Sequence, residues 1–96
     1  RAKFNLQQSI ETLVSSGVVK GPLHVQVLFD EFNLDMRVSY DGPLLKLPER
    51  RPSNAEIMAS DEGERNLAGF MLRRLADRVA VTTRGERSTV LFHFDH

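Results

Sequence analysis

Three small polar residues, Gln8, Thr12 and Ser16, follow one another at four-residue spacing near the start of the chain. On a helix this spacing places them in one row, so together they either line a binding site or face water. Their amide and hydroxyl groups donate and accept hydrogen bonds, but none of them is a base at neutral pH. The spacing alone leaves the choice between site and solvent open.

The histidines are the first residues to consider for a metal site. His93 and His96 lie three residues apart, with Asp95 between them. Along a strand, His93 and Asp95 face one side and His96 the other, so the three do not converge on one ion. His24 joins them only if its strand neighbours the last one. We therefore expect exposed histidines at the chain end, with no metal ion and no cofactor.

Catalytic patterns are equally sparse. The chain has no Gly-x-Ser-x-Gly elbow for a nucleophile. Its paired acids, Asp30-Glu31 and Asp61-Glu62, stand in expected loops without apolar surroundings that would raise a pKa. The basic pairs Arg50-Arg51 and Arg73-Arg74 are interpreted as solvated surface, and the first is the better candidate for lipid headgroups beside a membrane.

Composition limits the classes of function. The 96 residues form one domain with a modest core. Thirteen basic residues balance thirteen acidic ones, so no net charge attracts nucleic acid, and we expect no nucleic-acid partner. The absence of cysteine excludes disulfides and thiolate chemistry. No apolar run approaches the 18 or so residues that cross a bilayer.

The first half of the chain predicts a helix and a hairpin. The helix covers about Lys3–Ser16, with Leu6, Ile10, Leu13 and Val14 on its apolar face, and Val18–Pro22 is a connector. Alternating apolar residues then predict strands at Leu23–Phe29 and Leu34–Tyr40. Phe32 lies in the turn between them and is expected to tuck under the sheet.

The second half begins with the proline-rich stretch Asp41–Asn54, which is expected to be irregular. A short helix follows over Asn54–Ser60, and Asp61-Glu62-Gly63 interrupts it. A longer helix over Glu64–Arg78 has the apolar face Leu67, Phe70, Met71 and Leu75. Strands at Ala80–Thr83 and Ser88–Phe94 form the last hairpin, with Val90, Phe92 and Phe94 on one face and Leu91 and His93 on the other.

These elements predict an α/β fold of the α+β type with the order α-ββ-α-α-ββ. We expect a two-layer sandwich, in which helices cover one face of a mainly antiparallel four-stranded sheet. The chain begins RAKFN without a methionine, and its last strand runs to the final residues. We therefore expect residues 1–96 to be a single domain excised from a longer chain.

Two stretches, VSYDGP at Val38–Pro43 and LAGFMLRRLADRV at Leu67–Val79, carry a resemblance over nearly the whole chain. Together with the element order, they resemble the ATP-binding core of the GHKL superfamily, and within it the anti-sigma-factor kinases. In that family the first helix carries Glu-x-x-x-Asn-x-x-x-His-Gly. Its Glu is a general base, and its Asn holds the magnesium ion that bridges the phosphates.

The resemblance places different chemistry at these positions here. Gln8 aligns with the Glu and Thr12 with the Asn, so a basic carboxylate and a metal-binding amide are both replaced. Tyr40 aligns with the Asp that accepts from the adenine amino group, and Asp41 points to the opposite face of its strand. The resemblance thus implies no enzyme, no cofactor and a vestigial pocket at Gln8, Thr12, Tyr40, Asp41, Gly42 and Gly69.

FDEFNLD at Phe29–Asp35, together with Leu67–Val79, also resembles the C-terminal cytoplasmic extension of bacterial xanthine/uracil permease-family proteins. This resemblance implies a non-catalytic regulatory or interaction domain at the cytoplasmic face of the inner membrane. Its partner is then the membrane-embedded transporter part of the same chain. The hollow beside Gln8, Thr12, Tyr40 and the loop Asp41–Asn54 would hold a small ligand such as a purine.

Two alternatives stay open. One is an ATP-binding or kinase-like domain with a divergent site. The other is a stand-alone dimerisation module, for which Leu44, Leu45 and Leu47 of the proline-rich loop are the obvious apolar patch. If these leucines pack on the domain's own sheet, they belong to the core, and if they are exposed they imply a partner such as a second copy.

Overall fold

The computed structural model describes residues 2–95, with side chains from residue 5 onward. Within that range, three helices and four strands follow the order α-ββ-α-α-ββ, which confirms the predicted fold class. None of the described helices is long and apolar enough to cross a membrane. The helices are α1 (Ala2–Ser15), α2 (Asn54–Ala59) and α3 (Asp61–Leu75), and the strands are β1 (Lys20–Phe29), β2 (Asn33–Asp41), β3 (Arg78–Arg84) and β4 (Arg87–Asp95).

The described strands form one antiparallel sheet in the order β1-β2-β4-β3. β2 and β4 occupy its centre, with Met36 opposite Phe92 and Val38 opposite Val90. Alternate side chains of both central strands are buried on one face, where they pack with Leu13 of α1 and Leu72 of α3. The two longer helices therefore share one face of the sheet, as the pattern predicts.

β1 begins three residues earlier than predicted, so the assignment of Val18–Pro22 as a connector is wrong from Lys20 onward. The pairing with β2 shifts register between Lys20 and His24, a stretch that contains Gly21-Pro22. Gly21 has φ of +91°, and Pro22 is tolerated because β1 lies at the sheet edge.

The predicted start of the long helix is also wrong. Asp61-Glu62-Gly63 forms the first turn of α3 rather than an interruption, because the Ser60 hydroxyl accepts a hydrogen bond of 3.2 Å from the Gly63 amide. The acids of this turn interact favourably with the helix dipole. α3 ends at Leu75, and the extended backbone of Ala76 then leads into β3, which starts at Arg78 rather than Ala80.

The buried face of α3 differs from the predicted one, since Met71 is exposed and Leu67 and Phe70 are only half-buried. Ala68 and Leu72 are buried instead. The cause is that α3 is covered on a second side by the proline-rich loop, which approaches the helix at Gly69. A Cβ on Gly69 would lie 1.8 Å from the Lys46 carbonyl oxygen, so only glycine allows this contact.

The structure also tests two predictions about apolar residues outside the helices and strands. One concerns the leucines of the proline-rich loop, and the other concerns Phe32 in the turn between β1 and β2. Leu45 is 2% exposed within the core and Leu47 packs at its edge, while Leu44 is exposed. The loop leucines are therefore mainly core, not a partner surface. Phe32, by contrast, is exposed and does not tuck under the sheet. The Asp30 carboxylate accepts from the Phe32 and Asn33 amides, and this turn holds Phe32 beyond the strands.

Gly69→Ala should lower the free energy of unfolding by about 1–3 kcal/mol, because the new methyl group forces the loop away from α3. In a helix interior without this contact, the same change raises stability by up to about 1 kcal/mol, so the sign of the effect tests the contact. Urea denaturation followed by circular dichroism measures it. Met71→Ala, on the exposed side of α3, is the control and should change stability by less than about 1 kcal/mol. A Gly69→Ala chain more stable than wild type would contradict the contact.

Candidate functional site

The polar row of α1 faces the protein interior. Thr12 and Ser16 are buried and Gln8 is half-buried, beside the buried Ser9. Val14, predicted on the apolar face, is half-exposed, because the helix is rotated to place these small residues inward. The Ser16 hydroxyl donates to the Leu13 carbonyl oxygen at the end of the helix. Ser16 therefore helps to end α1 and is not presented to a ligand.

Tyr40, which aligns with the adenine-binding position, lies fully buried in the core. Its hydroxyl donates to the Pro43 carbonyl oxygen at 2.9 Å. Burial raises the pKa of the Tyr40 hydroxyl, and the neighbouring Ser88 hydroxyl opposes the rise. Ser88 itself donates to the Gly42 carbonyl oxygen at 2.9 Å, and a Cβ on Gly42 would lie 2.0 Å from the Val18 carbonyl oxygen. The backbone of Val18 therefore lies directly against the turn at Gly42 and leaves no space for a side chain there.

The remaining pocket candidates lie apart from Tyr40. Asp41 is exposed on the opposite side of β2 and pairs with Arg87 at 3.3 Å. Gly69 is closed off by the Lys46 carbonyl group. None of the six predicted pocket residues lines either of the two cavities described below. The grouping of these six residues around one hollow therefore stays a prediction.

The larger cavity, of about 730 Å³, lies over the sheet face that the helices do not cover. Each strand contributes an outward-facing residue to it: Leu28 from β1, Arg37 from β2, Ala80 from β3 and Leu91 from β4. This volume is within the range of small-molecule sites, although the cavity is open. The sequence signal for this cavity is the pair of apolar residues Leu28 and Leu91 at outward positions of alternating strands, which belongs to no known motif.

His93 lies in this cavity between two carboxylates. Its Nδ1 is 2.5 Å from Asp35 Oδ1, and its Nε2 is 2.8 Å from Asp95 Oδ1. Asp95 is held in turn by its backbone amide, which donates to Asp77. Both ring nitrogens can donate only when the imidazole is protonated. Asp35 and then Asp95 therefore raise the pKa of His93, while burial and the nearby Arg78 oppose the rise.

These contacts correct the expectation of exposed terminal histidines, since the His93 side chain is only 17% exposed. The strand alternation of His93 and Asp95 is confirmed by their shared hydrogen bond. His24 lies on β1, which pairs with β2 rather than with β4, and so does not join them. His96 lies outside the described residues. Among residues 2–95, no group of three suitable side chains could hold a metal ion.

A second cavity, of about 390 Å³, lies beside the basic pair Arg50-Arg51 in the proline-rich loop. Arg51 donates to the Pro52 carbonyl oxygen and to the Asn54 side chain, so the protein itself binds this guanidinium. Arg73 of the other basic pair donates to the Leu47 carbonyl oxygen, and Arg74 lies over the Phe70 ring. Arg51 and Arg73 therefore stabilise the proline-rich loop, and Arg74 packs on its own helix, α3.

The most distinctive exposed feature is the edge strand β1. Val25, Val27 and Phe29 point to the helix side of the sheet, yet they are 46%, 42% and 76% exposed. Their β2 neighbours Met36 and Val38 are completely covered. The helix layer therefore stops short of β1. We call the exposed side chains of Val25, Val27, Leu28, Phe29 and Phe32 the β1 surface.

The two sheet edges differ in charge. β3 begins and ends with an arginine, and such charges discourage pairing with another strand. β1 has no charged residue from Gly21 to Phe29, and its only irregularity lies before His24. The side chains of the β1 surface together expose on the order of 600 Å², with Val25, Val27 and Phe29 on the helix side of the sheet and Leu28 on the other side.

Comparison with models of known protein families, with curated proteins and with solved structures finds no match for this chain. The resemblances to GHKL ATPases and to permease extensions therefore stay predictions from the quoted motifs.

Asp35→Asn should bring the pKa of His93 closer to its ordinary value, because Asp35 is the main cause of the rise. The protonated imidazole stabilises the fold fully below the unfolded pKa of about 6.5. This stability is lost as pH rises through the higher folded-state pKa. We therefore expect the wild-type Tm to fall over that interval, and to fall less in Asp35→Asn.

NMR titration of the imidazole protons and thermal melting at several pH values measure both effects. His24→Gln, which removes an exposed histidine of β1, should keep the pH dependence of Tm, whereas His93→Gln should lose it. An unchanged His93 pKa in Asp35→Asn would show that the contact between these two side chains does not persist in solution.

Proposed function

We propose that this chain is a non-catalytic interaction domain that binds a partner protein along β1. The observation that carries the proposal is the β1 surface, a row of apolar side chains beside a strand edge with one neighbour among the described strands. Every edge strand leaves alternate backbone N–H and C=O groups without a strand partner. A further strand would pair with these groups and cover the apolar row at the same time.

The energetics favour this mode of binding. Burying an apolar area on the order of 600 Å² contributes roughly 15 kcal/mol before the costs of association. Those costs are estimated at 4–15 kcal/mol or more. Main-chain pairing would supply part of the affinity, and the alternating side chains of β1 would supply specificity. The edge therefore offers enough contact for a specific partner.

The non-catalytic part of the proposal is supported by the interior of the protein. Thr12 and Tyr40, at positions where the resemblance expects ATP contacts, are buried, and the Tyr40 hydroxyl is bonded to the chain's own backbone. Gln8 has an amide where proton abstraction would need a carboxylate. We therefore infer that the domain acts by binding.

The finer part of the proposal concerns the parent chain. We infer that the domain is the cytoplasmic tail of a nucleobase permease, on the resemblance of Phe29–Asp35 and Leu67–Val79. The first of these segments contains Phe29 and Phe32 of the β1 surface. The resembling segment and the proposed binding surface thus overlap. About a dozen hydrophobic spans upstream in the parent reading frame would support the attachment, and their absence would contradict it.

A photo-reactive benzoyl-phenylalanine at Leu28, in the full-length chain within its own cells, should form a covalent adduct with a protein under ultraviolet light. Leu28 is exposed on β1 and points to the face without helices. Thr82, which points to the same face from the opposite edge strand, is the matched control and should give no adduct. Equal labelling from both positions, or none from Leu28, would contradict binding along β1.

Magnesium-ATP should leave the Tm of this domain unchanged, because the aligned positions are buried or lack the required groups. A ligand at one hundred times its dissociation constant stabilises a protein by about 2.7 kcal/mol, which a melting curve detects easily. Magnesium chloride alone is the control for the effect of the ion. A rise in Tm with the nucleotide would favour the ATP-binding alternative.

A further inference from the structure

We propose that the partner of β1 is a second copy of this chain, bound antiparallel along β1 around a two-fold axis at Gln26. This inference rests on the proposed function and names its partner. It extends each four-stranded sheet into one sheet of eight strands with β1 and its copy at the centre. A two-fold axis uses the same surface on both copies, so that surface must complement itself.

The spacing of β1 meets this requirement. With Gln26 opposite Gln26 of the copy, Val25 lies opposite Val27, and Leu23 lies opposite Phe29. The register with β2 places Val25, Val27 and Phe29 on the helix side of the sheet, where Leu23 also packs against the core. His24 and Leu28 face each other on the other side. This axis pairs the regular segment from Leu23 to Phe29 entirely with itself.

Charge at the two ends of β1 favours the same arrangement. Lys20 lies at the start of the strand, and the acidic Glu31 follows its end in the exposed turn. Antiparallel pairing around Gln26 places Lys20 of each copy beside the turn that contains Glu31 of the other. Opposite charges therefore meet at both ends, and β1 carries no charged residue from Gly21 to Phe29.

The opposite edge of the sheet lacks this complementarity. The same symmetric pairing of β3, around Val81, would place Arg78 directly opposite Arg84 of the copy. Like charges at such positions are destabilising. The sequence of each edge thus favours pairing through β1 and disfavours pairing through β3.

The contact area is sufficient for a reversible dimer. Two β1 surfaces together expose roughly 1,200 Å², which limits the contact to the lower end of the range for specific protein interfaces. The uncovered Val25 and Val27 would each gain an apolar neighbour from the copy. This size predicts a dimer whose population depends on concentration.

A single cysteine tests the register directly, because the chain has no cysteine of its own. Gln26→Cys places two thiols opposite each other at the axis, within the distance over which a disulfide forms. Under mild oxidation this variant should become a disulfide-linked dimer at least tenfold faster than Thr82→Cys, its matched control on the opposite edge. Equal rates in the two variants would overturn the proposed axis.

Sedimentation equilibrium of the wild-type chain tests the dimer without a cross-link. Val27→Lys should weaken dimerisation by about 100-fold or more, because it buries an unpaired ammonium group in the apolar row. Thr82→Lys, on β3, should leave dimerisation unchanged. Val27 is exposed, so circular dichroism should show Val27→Lys folded like wild type. Equal dimerisation of Val27→Lys and wild type would overturn the proposal.

A charge exchange then tests the orientation. Lys20→Glu should weaken the dimer by about fivefold, since like charges now meet at each end. Adding Glu31→Lys should restore the wild-type affinity, which a change in folding alone would not do. A double variant no tighter than Lys20→Glu would overturn the antiparallel orientation.

Failure of this inference is distinguishable from failure of the proposed function. A wild-type chain that stays monomeric at millimolar concentration, while Leu28 still forms an adduct with a different protein in cells, overturns the second copy alone. A monomeric chain without any adduct at Leu28 overturns both. Dimerisation that survives Val27→Lys places the contact on a surface other than β1.

Discussion

The packing of α1 and α3 over β2 and β4 is the contact on which the rest of the structure depends. It buries the alternate residues of the two central strands, and the Asn5 side chain donates to the Leu75 carbonyl oxygen to join the start of α1 to the end of α3. The proline-rich loop closes the same layer through Leu45 and the contact of Lys46 with Gly69. Because this layer ends before β1, an apolar strand is left at the surface.

The same packing explains why the polar row of α1 is largely covered. Thr12 and Ser16 are short enough to lie inside a crowded interface, where a longer side chain would push the helix outward. Ser9 is also buried, with no hydrogen-bond partner for its hydroxyl among the described residues. Tyr40 fills the core in a similar way. Thr12, Ser16 and Tyr40 therefore contribute to the packed interior of the protein.

Hydrophobic periodicity predicted the element order, the central strands β2 and β4, and the two faces of β4. It succeeded there because the alternation of apolar and polar residues follows local burial directly. It failed where burial depends on distant parts of the chain. The start of α3 at Asp61 depends on a cap from Ser60, and its buried face depends on the loop at Gly69. The alternation around Val25 and Val27 is typical of a strand with one buried face. Both side chains are exposed because the helix layer is too narrow to cover β1. The bonding of His93 depends on β2 lying beside β4.

Amide hydrogen exchange shows directly whether the edge strand β1 pairs with a further strand, because pairing protects the backbone amides that point outward from β1. Exchange rates of the β1 amides are compared between dilute and concentrated chain, with the outer amides of β3 as internal reference. If β1 pairs with a further strand of a second copy, alternate amides from Leu23 to Phe29 exchange more slowly as concentration rises, while those of β3 do not change. Exchange of the β1 amides that is independent of concentration, in both the isolated domain and the full-length chain, would contradict it.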